Sequence, residues 1–171
     1  CDGSDGNSSY AVDLPNGGLS YLVGNVVQQG PKTQNSTMIS YGEEGLKNPD
    51  SRLYMVNNTL VNDRHTGTFV RVKEPAWAFL INNLFVGKGT VVKGSARQCS
   101  NLLTEAPGFV NREALDCRLT KGSSAINAGC EPGREDGFEL RALFEYVDNA
   151  RRRARVMVGL PDVGAYEYRS N

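Results

Sequence analysis

A single histidine, a single tryptophan and no surplus of either charge are what this sequence has least of. With 19 Lys+Arg against 19 Asp+Glu, the formal net charge is +0. No long-range field therefore draws the chain to nucleic acid or to an anionic membrane surface. No apolar run approaches the ~20 residues that a bilayer-spanning helix needs. The four cysteines, Cys1, Cys99, Cys117 and Cys130, contain no Cys-x-x-Cys pair, and His65 is the sole imidazole. That combination disfavours a thiolate or histidine metal site. Nothing before Ala106 shows helical periodicity over about ten residues, which disfavours alternating βα units.

What is present is glycine, at 19 residues, beside many short apolar runs such as Tyr21-Leu22-Val23 and Val91-Val92. That composition reads as many strands and many turns. One local frame recurs: Val23-Gly24-Asn25-Val26-Val27, Val56-Asn57-Asn58-Thr59-Leu60, Ile81-Asn82-Asn83-Leu84-Phe85 and, more weakly, Cys99-Ser100-Asn101-Leu102-Leu103. The asparagines are separated by 33, 25 and 18 residues. A constant strand-Asn-strand unit at a variable period is what a solenoid shows when insertions fall in its other loops. When coils stack about 4.8 Å apart, an amide can donate to one coil and accept from the next, so Asn25, Asn58, Asn83 and Asn101 are expected to form a ladder.

The fold expected is all-β: a right-handed parallel β-helix, a short solenoid of about four to five coils with an irregular C-terminal capping segment. Residues 1–105 read as coils, and residues 106–171 as the final coil and capping tail of the same domain. Tyr10 to Leu14, Thr37 to Tyr41, Thr68 to Lys73 and Thr90 to Lys93 supply a third strand per coil. Alternation places Val12, Ile39, Tyr41, Val70 and Val72 inward, with Asp13, Met38, Ser40, Phe69, Arg71 and Lys73 facing solvent. The tail is expected to cover the open edge of the last coil. Within it, Glu139 to Asn149 has helical spacing, with Leu140, Leu143, Phe144 and Val147 on one face. Arg151-Arg152-Arg153-Ala154-Arg155 reads as a solvated loop. The even cysteine count suits Cys99–Cys117 as a disulfide or, equally, buried free thiols. Cys1 and the polar Asp2-Gly3-Ser4-Asp5-Gly6 read as a loop between coils of a longer β-helix, with a lipid-modified first cysteine as the alternative. An uncovered N-terminal coil predicts either a homo-oligomer formed end to end or a cap made by residues 1 to 9.

The coils together with "PGF…DCRLTKGSSAINAG…DVGAYEY" resemble the C-terminal ends of bacterial right-handed β-helix proteins of the pectate-lyase-like superfamily. The resemblance covers nearly the whole chain. It departs at Ser124, where proline is usual, and at Asn127, where aspartate is usual. The resemblance implies a secreted, periplasmic or cell-surface protein. Many such proteins act on acidic polysaccharides as lyases or hydrolases; others are adhesins. Enzymes of that kind hold substrate over one sheet and use Lys or Arg as base with acidic residues, often through calcium. None of their catalytic motifs carries over residue by residue.

Two functional classes follow. One is a carbohydrate-associated domain that binds or cleaves an acidic polysaccharide, a lyase or glycoside hydrolase if it is an enzyme. The other is a non-catalytic structural or protein-interaction solenoid. For the first, the candidate catalytic residues are Arg71, Lys73 and His65, able to bind or deprotonate beside a uronate carboxylate. Candidate substrate-binding residues are Arg64, Asp13 and Trp77, with Trp77 and Tyr54 stacking on sugar rings if they face outward and filling the core otherwise. No cofactor is required; calcium is the one ion that Asp2, Asp5, Asp13, Glu43 and Glu44 could hold, although no Asp-x-Asp-x-Asp-Gly loop is present.

Overall fold

A computed structural model describes residues 6–147 and 151–170. The chain makes four successive rungs, each of three short strands. The first holds β1 (Val12–Leu14), β2 (Ser20–Val23) and β3 (Val26–Gln29), and the second β4 (Thr37–Tyr41), β5 (Arg52–Val56) and β6 (Thr59–Asn62). The third holds β7 (Thr68–Val72), β8 (Trp77–Ile81) and β9 (Leu84–Val86), and the fourth β10 (Thr90–Lys93), β11 (Ser95–Cys99) and β12 (Leu102–Thr104). Each rung gives one strand to each of three parallel four-stranded sheets, β1-β4-β7-β10, β2-β5-β8-β11 and β3-β6-β9-β12. The described residues contain no helix.

The corner from the second sheet to the third is always two residues: 24–25, 57–58, 82–83 and 100–101. Its first residue, Gly24, Asn57, Asn82 or Ser100, takes the left-handed conformation, with φ of 71°, 51°, 54° and 48°. Glycine, asparagine and serine tolerate that region better than branched residues do. Its second residue is a ladder asparagine. Elsewhere the corners vary; β4 and β5 are separated by residues 42–51, whereas Gly94 alone joins β10 to β11. A Cβ on Gly94 would meet the Val72 carbonyl oxygen at 2.1 Å, so glycine is required there. These unequal corners account for the shrinking repeat.

The asparagines form one hydrogen-bonded column. Nδ2 of Asn25, Asn58 and Asn83 donates to Oδ1 of the next at 2.9, 2.9 and 3.0 Å. The same three backbone N–H groups donate to the same oxygens at 3.0, 3.0 and 2.8 Å. The second Nδ2 hydrogen of Asn58, Asn83 and Asn101 reaches back to the carbonyls of Leu22, Met55 and Leu80 at 2.7, 2.8 and 2.7 Å. The left-handed Asn57 and Asn82 point outward instead, Asn57 to the carbonyls of Asp162 and Gly164 and Asn82 to Cys130.

Inside the stack, register places Val27, Leu60, Phe85 and Leu103 in one column and Leu22, Met55, Leu80 and Gln98 in another. Simple alternation fails at Met38, Ser40 and Phe69, which are buried rather than solvent-facing. Met38 and Phe69 are the second residues of their strands, next to the corner that leads from the third sheet. The Phe69 ring accordingly sits 5.1 Å from that of Phe85. Ser40 keeps the facing of Asp13 and Arg71 but is covered by its neighbours.

The tail does not lie across the last rung as the sequence suggests. Its strands β13 (Phe109–Asn111), β14 (Asp116–Leu119), β15 (Arg134–Glu135), β16 (Phe138–Glu139), β17 (Phe144–Val147) and β18 (Arg151–Ala154) pair as three antiparallel hairpins. Cys117, Leu119, Ala125, Val163, Ala165 and Tyr166 pack with Val61, Leu84 and Val86 on the outer face of the third sheet. Phe138 stacks at 4.2 Å on Tyr21, the head of a Tyr21–Tyr54–Phe79 column on the outer face of the second. These strands are apolar on both faces, and covering that area removes more apolar surface from water than covering an edge would.

Three further expectations are corrected. The Glu139–Asn149 helix is instead β17 paired with β18, with Leu143 and Phe144 exposed; Asn149 lies outside the described residues. The disulfide joins Cys99 to Cys130 and leaves Cys117 free, because Cys99 follows Val56 and Ile81 on the outer face of the second sheet, where the Cys130 segment is hydrogen-bonded to Asn82. Closing its 31-residue separation stabilises the fold by about 3–4 kcal/mol in the chain-entropy account. Within the Arg151–Arg155 run, Arg151–Ala154 form β18, and the Arg155 side chain is buried against Glu167. Cys1, Asp2 and Asp5 lie outside the described residues.

Asn83→Ala strands the buried Asn58 amide and Met55 carbonyl and is expected to cost about 3 kcal/mol or more, while Asn25→Ala, at the column's end, costs about 1 kcal/mol. Urea unfolding of the two variants measures both; equal losses would mean that the column's interior contributes no more than its end.

Candidate functional site

On the first sheet, register aligns Asp13, Ser40, Arg71 and Lys93 on one face. Lys73 follows β7, held by its backbone N–H on the Tyr41 carbonyl at 2.9 Å. Arg71, Lys73 and Lys93 line a shallow depression of about 350 Å³ with Glu43 and Glu74. Arg71 Nε lies 3.8 Å from Glu43 Oε1, a long and solvent-exposed pair that leaves the guanidinium available to another anion. Among the described residues, the ammonium groups of Lys73 and Lys93 have no ion-pair partner.

The other candidates lie elsewhere. Asp13 is on the same face but two strands from Arg71. Arg64 donates to the carbonyls of Pro31 and Thr33, which commits it to holding the loop after β3. His65 is exposed on the loop after β6 and does not line the depression. Trp77 is exposed on the second sheet, with the Arg97 guanidinium 5.8 Å from its ring centroid. Tyr54 is buried in the stacked column. Arg71 and Lys73 thus come together, while Arg64, His65, Asp13 and Trp77 do not join them. No group of three or more His, Cys, Asp or Glu side chains that could hold a metal occurs among the described residues, and no helix there is long and apolar enough to cross a membrane.

Sequence reasoning missed a buried ionic cluster in the tail. Asp162 Oδ1 accepts the Asn127 N–H at 2.7 Å and Oδ2 the Tyr168 N–H at 2.6 Å. Glu167 accepts the Asp162 N–H at 3.1 Å and pairs with Arg155, both side chains being 2% exposed. Burial pushes the Glu167 carboxyl up, against the opposing pull of Arg155. Glu145 accepts the Glu167 N–H through one oxygen and Arg153 through the other. The acids of the closing Asp162–Tyr168 motif are therefore anchors for backbone amides. The signal available was their recurrence beside an arginine run.

A larger cavity, about 800 Å³, borders this cluster and is lined by Arg118, Lys121, Arg153 and Arg169 among others. Its arginines are committed, Arg118 to Asp116 and both Arg153 and Arg169 to Glu145. The first-sheet depression is the better candidate for an external anion. Comparison of the chain with family models, with curated proteins and with solved structures finds no match.

Cys117 is buried, and desolvation pushes its thiol up to about 12 from 9.0. The folded state thus holds this proton more tightly, a contribution complete below pH 9.0 and lost as pH rises toward 12. At pH 8 the thiol is expected to resist alkylation in the folded chain and to react fully in denaturant. Rapid labelling of the native protein would place it at the surface.

Proposed function

We propose that this chain is a right-handed parallel β-helix module of the pectate-lyase-like kind that binds an acidic polysaccharide across its first sheet. The carrying observation is the placement of Arg71, Lys73 and Lys93, from two successive rungs, around one shallow open depression. A stack repeats its cations at the rung spacing, and an extended polyanion can meet several at once. An open surface suits a long chain better than an enclosed pocket does. The Cys99–Cys130 disulfide supports residence in an oxidising compartment: secreted, periplasmic or at the cell surface.

The geometry favours binding over cleavage, since the acidic neighbours Glu43 and Glu74 share the depression with the cations and His65 stands apart. Calcium has no assembled carboxylate set at this surface among the described residues. The structural or interaction reading keeps a specific support in the fourth rung, whose strands pair with no further strand among the described residues.

Titration with polygalacturonate, alginate and chondroitin tests the reading. Binding is expected to weaken with salt, and the triple change Arg71→Gln, Lys73→Gln, Lys93→Gln is expected to reduce affinity at least about tenfold. No binding to any of the three, or binding indifferent to the triple change, would remove the proposal. Appearance of the ultraviolet absorbance of unsaturated sugar ends would turn it into a lyase.

A further inference from the structure

The tail covers the outer face of the second sheet unevenly. Over the first two rungs Phe138 stacks on Tyr21, Leu140 packs with Tyr54 and Val56, and Arg52 is paired with Glu135 and Asp136. At the far end of the strands Cys130 is tied to Cys99. Between these contacts Trp77 on the third rung and Arg97 on the fourth stay open to solvent, Trp77 at 44% exposure. Trp77 and Phe79 point the same way along β8, because the intervening Ala78 is buried in the core. Register puts Arg97 beside Phe79, and its guanidinium lies 5.8 Å from the Trp77 ring centroid and 5.9 Å from that of Phe79.

Arg97 makes no hydrogen bond and no ion pair among the described residues. Arg52, which pairs in register with Trp77 from the rung before, instead receives two carboxylates from the tail. The Arg97 N–H donors are therefore unspent. An exposed indole beside such a guanidinium suits a ligand with a flat apolar face and a carboxylate at its rim. A uronate ring has both: its C–H face packs on an aromatic ring while the carboxylate takes two guanidinium N–H donors. Polyanions without rings offer only the second contact.

This platform adjoins the first-sheet depression. Glu74 and Gly94 line the depression, and each belongs to a corner between the first and second sheets. Residues 73–76 lead from β7 into Trp77, and Gly94 leads from β10 into β11, where Arg97 is the third residue. A polymer lying over Arg71, Lys73 and Lys93 thus reaches Trp77 and Arg97 by turning one corner.

We propose that Trp77 and Arg97 form a second subsite for the same acidic polysaccharide, stacking one uronate ring on the indole and holding its carboxylate with the guanidinium. This subsite rests on the first-sheet reading and supplies what the cations alone do not, a preference for acidic sugar over other polyanions.

Trp77 is the only tryptophan, so its fluorescence reports on this subsite alone. Short oligomers of galacturonate, alginate and chondroitin are titrated into the full chain, with emission reading the platform and calorimetry reading total binding. At least one is expected to shift the emission to saturation, with the same midpoint as the heat. Trp77→Ala removes an exposed side chain; it is expected to keep a cooperative thermal transition and to lower affinity for that oligomer roughly tenfold, with Trp77→Phe recovering part of the loss. Arg97→Gln, which leaves both rings in place, is expected to weaken the same oligomer severalfold. Binding of poly-L-glutamate, which carries carboxylates without rings, is expected to be unchanged by Trp77→Ala. The subsite is overturned, and the first-sheet reading kept, by oligomer binding that falls with the Arg71, Lys73 and Lys93 changes but moves neither the emission nor the Trp77→Ala affinity. It is equally overturned by poly-L-glutamate losing as much affinity as the sugar, which would make Trp77 only a support for Arg97. The absence of any binding removes both.

Discussion

A primary amide has two hydrogens and two lone pairs, and inside this stack Asn58 and Asn83 use both hydrogens and their oxygen without help from water. Both side chains are buried, at 1% and 0% exposure. Their polar atoms would be a liability if the rungs slipped by one residue, since each amide would then face apolar neighbours and lose its partners. The column consequently fixes the register of all three sheets at once. The two-residue corner that presents it is the one connection held constant from rung to rung, while every other corner varies in length.

The tail obeys the same requirement by different means. It brings its own buried charges, Glu145, Asp162, Glu167 and Arg155, and gives each a backbone amide, a carbonyl or an opposite charge. A buried ion pair with every remaining group satisfied can be retained where a half-satisfied one could not. Asn57 and Asn82 then tie the tail to the stack through carbonyls of Asp162, Gly164 and Cys130. The left-handed corner residue thus faces outward to the tail while the ladder asparagine beside it faces its neighbours in the column.

The column was legible in the sequence because stacked amides demand an identical local frame, and four unequal separations preserve that frame around Asn25, Asn58, Asn83 and Asn101. Facing was misjudged near the start of two strands and at Ser40, which its neighbours cover. Met38 and Phe69 lie beside a corner, where a neighbouring sheet covers what alternation would expose. The disulfide depended on the path of the tail over the outer faces, which no spacing between Cys99, Cys117 and Cys130 encodes. Helical spacing over Leu140–Val147 was a coincidence of a short hairpin, resolved by Glu145 turning inward to the ionic cluster. At the candidate site, Arg71 and Lys73 come together because they flank one strand residue, Val72. The contact of Arg64 with the Gly30–Thr33 loop was not legible, because that loop is reached only through the fold.

Amide hydrogen exchange tests the central claim most directly. If the column fixes the stack, the backbone N–H groups of Asn58 and Asn83, both bonded to side-chain oxygens, exchange only through opening on the scale of global unfolding. Exchange of these two amides as fast as that of the loop after β4 would contradict it, because a column that opens locally cannot be what sets the register.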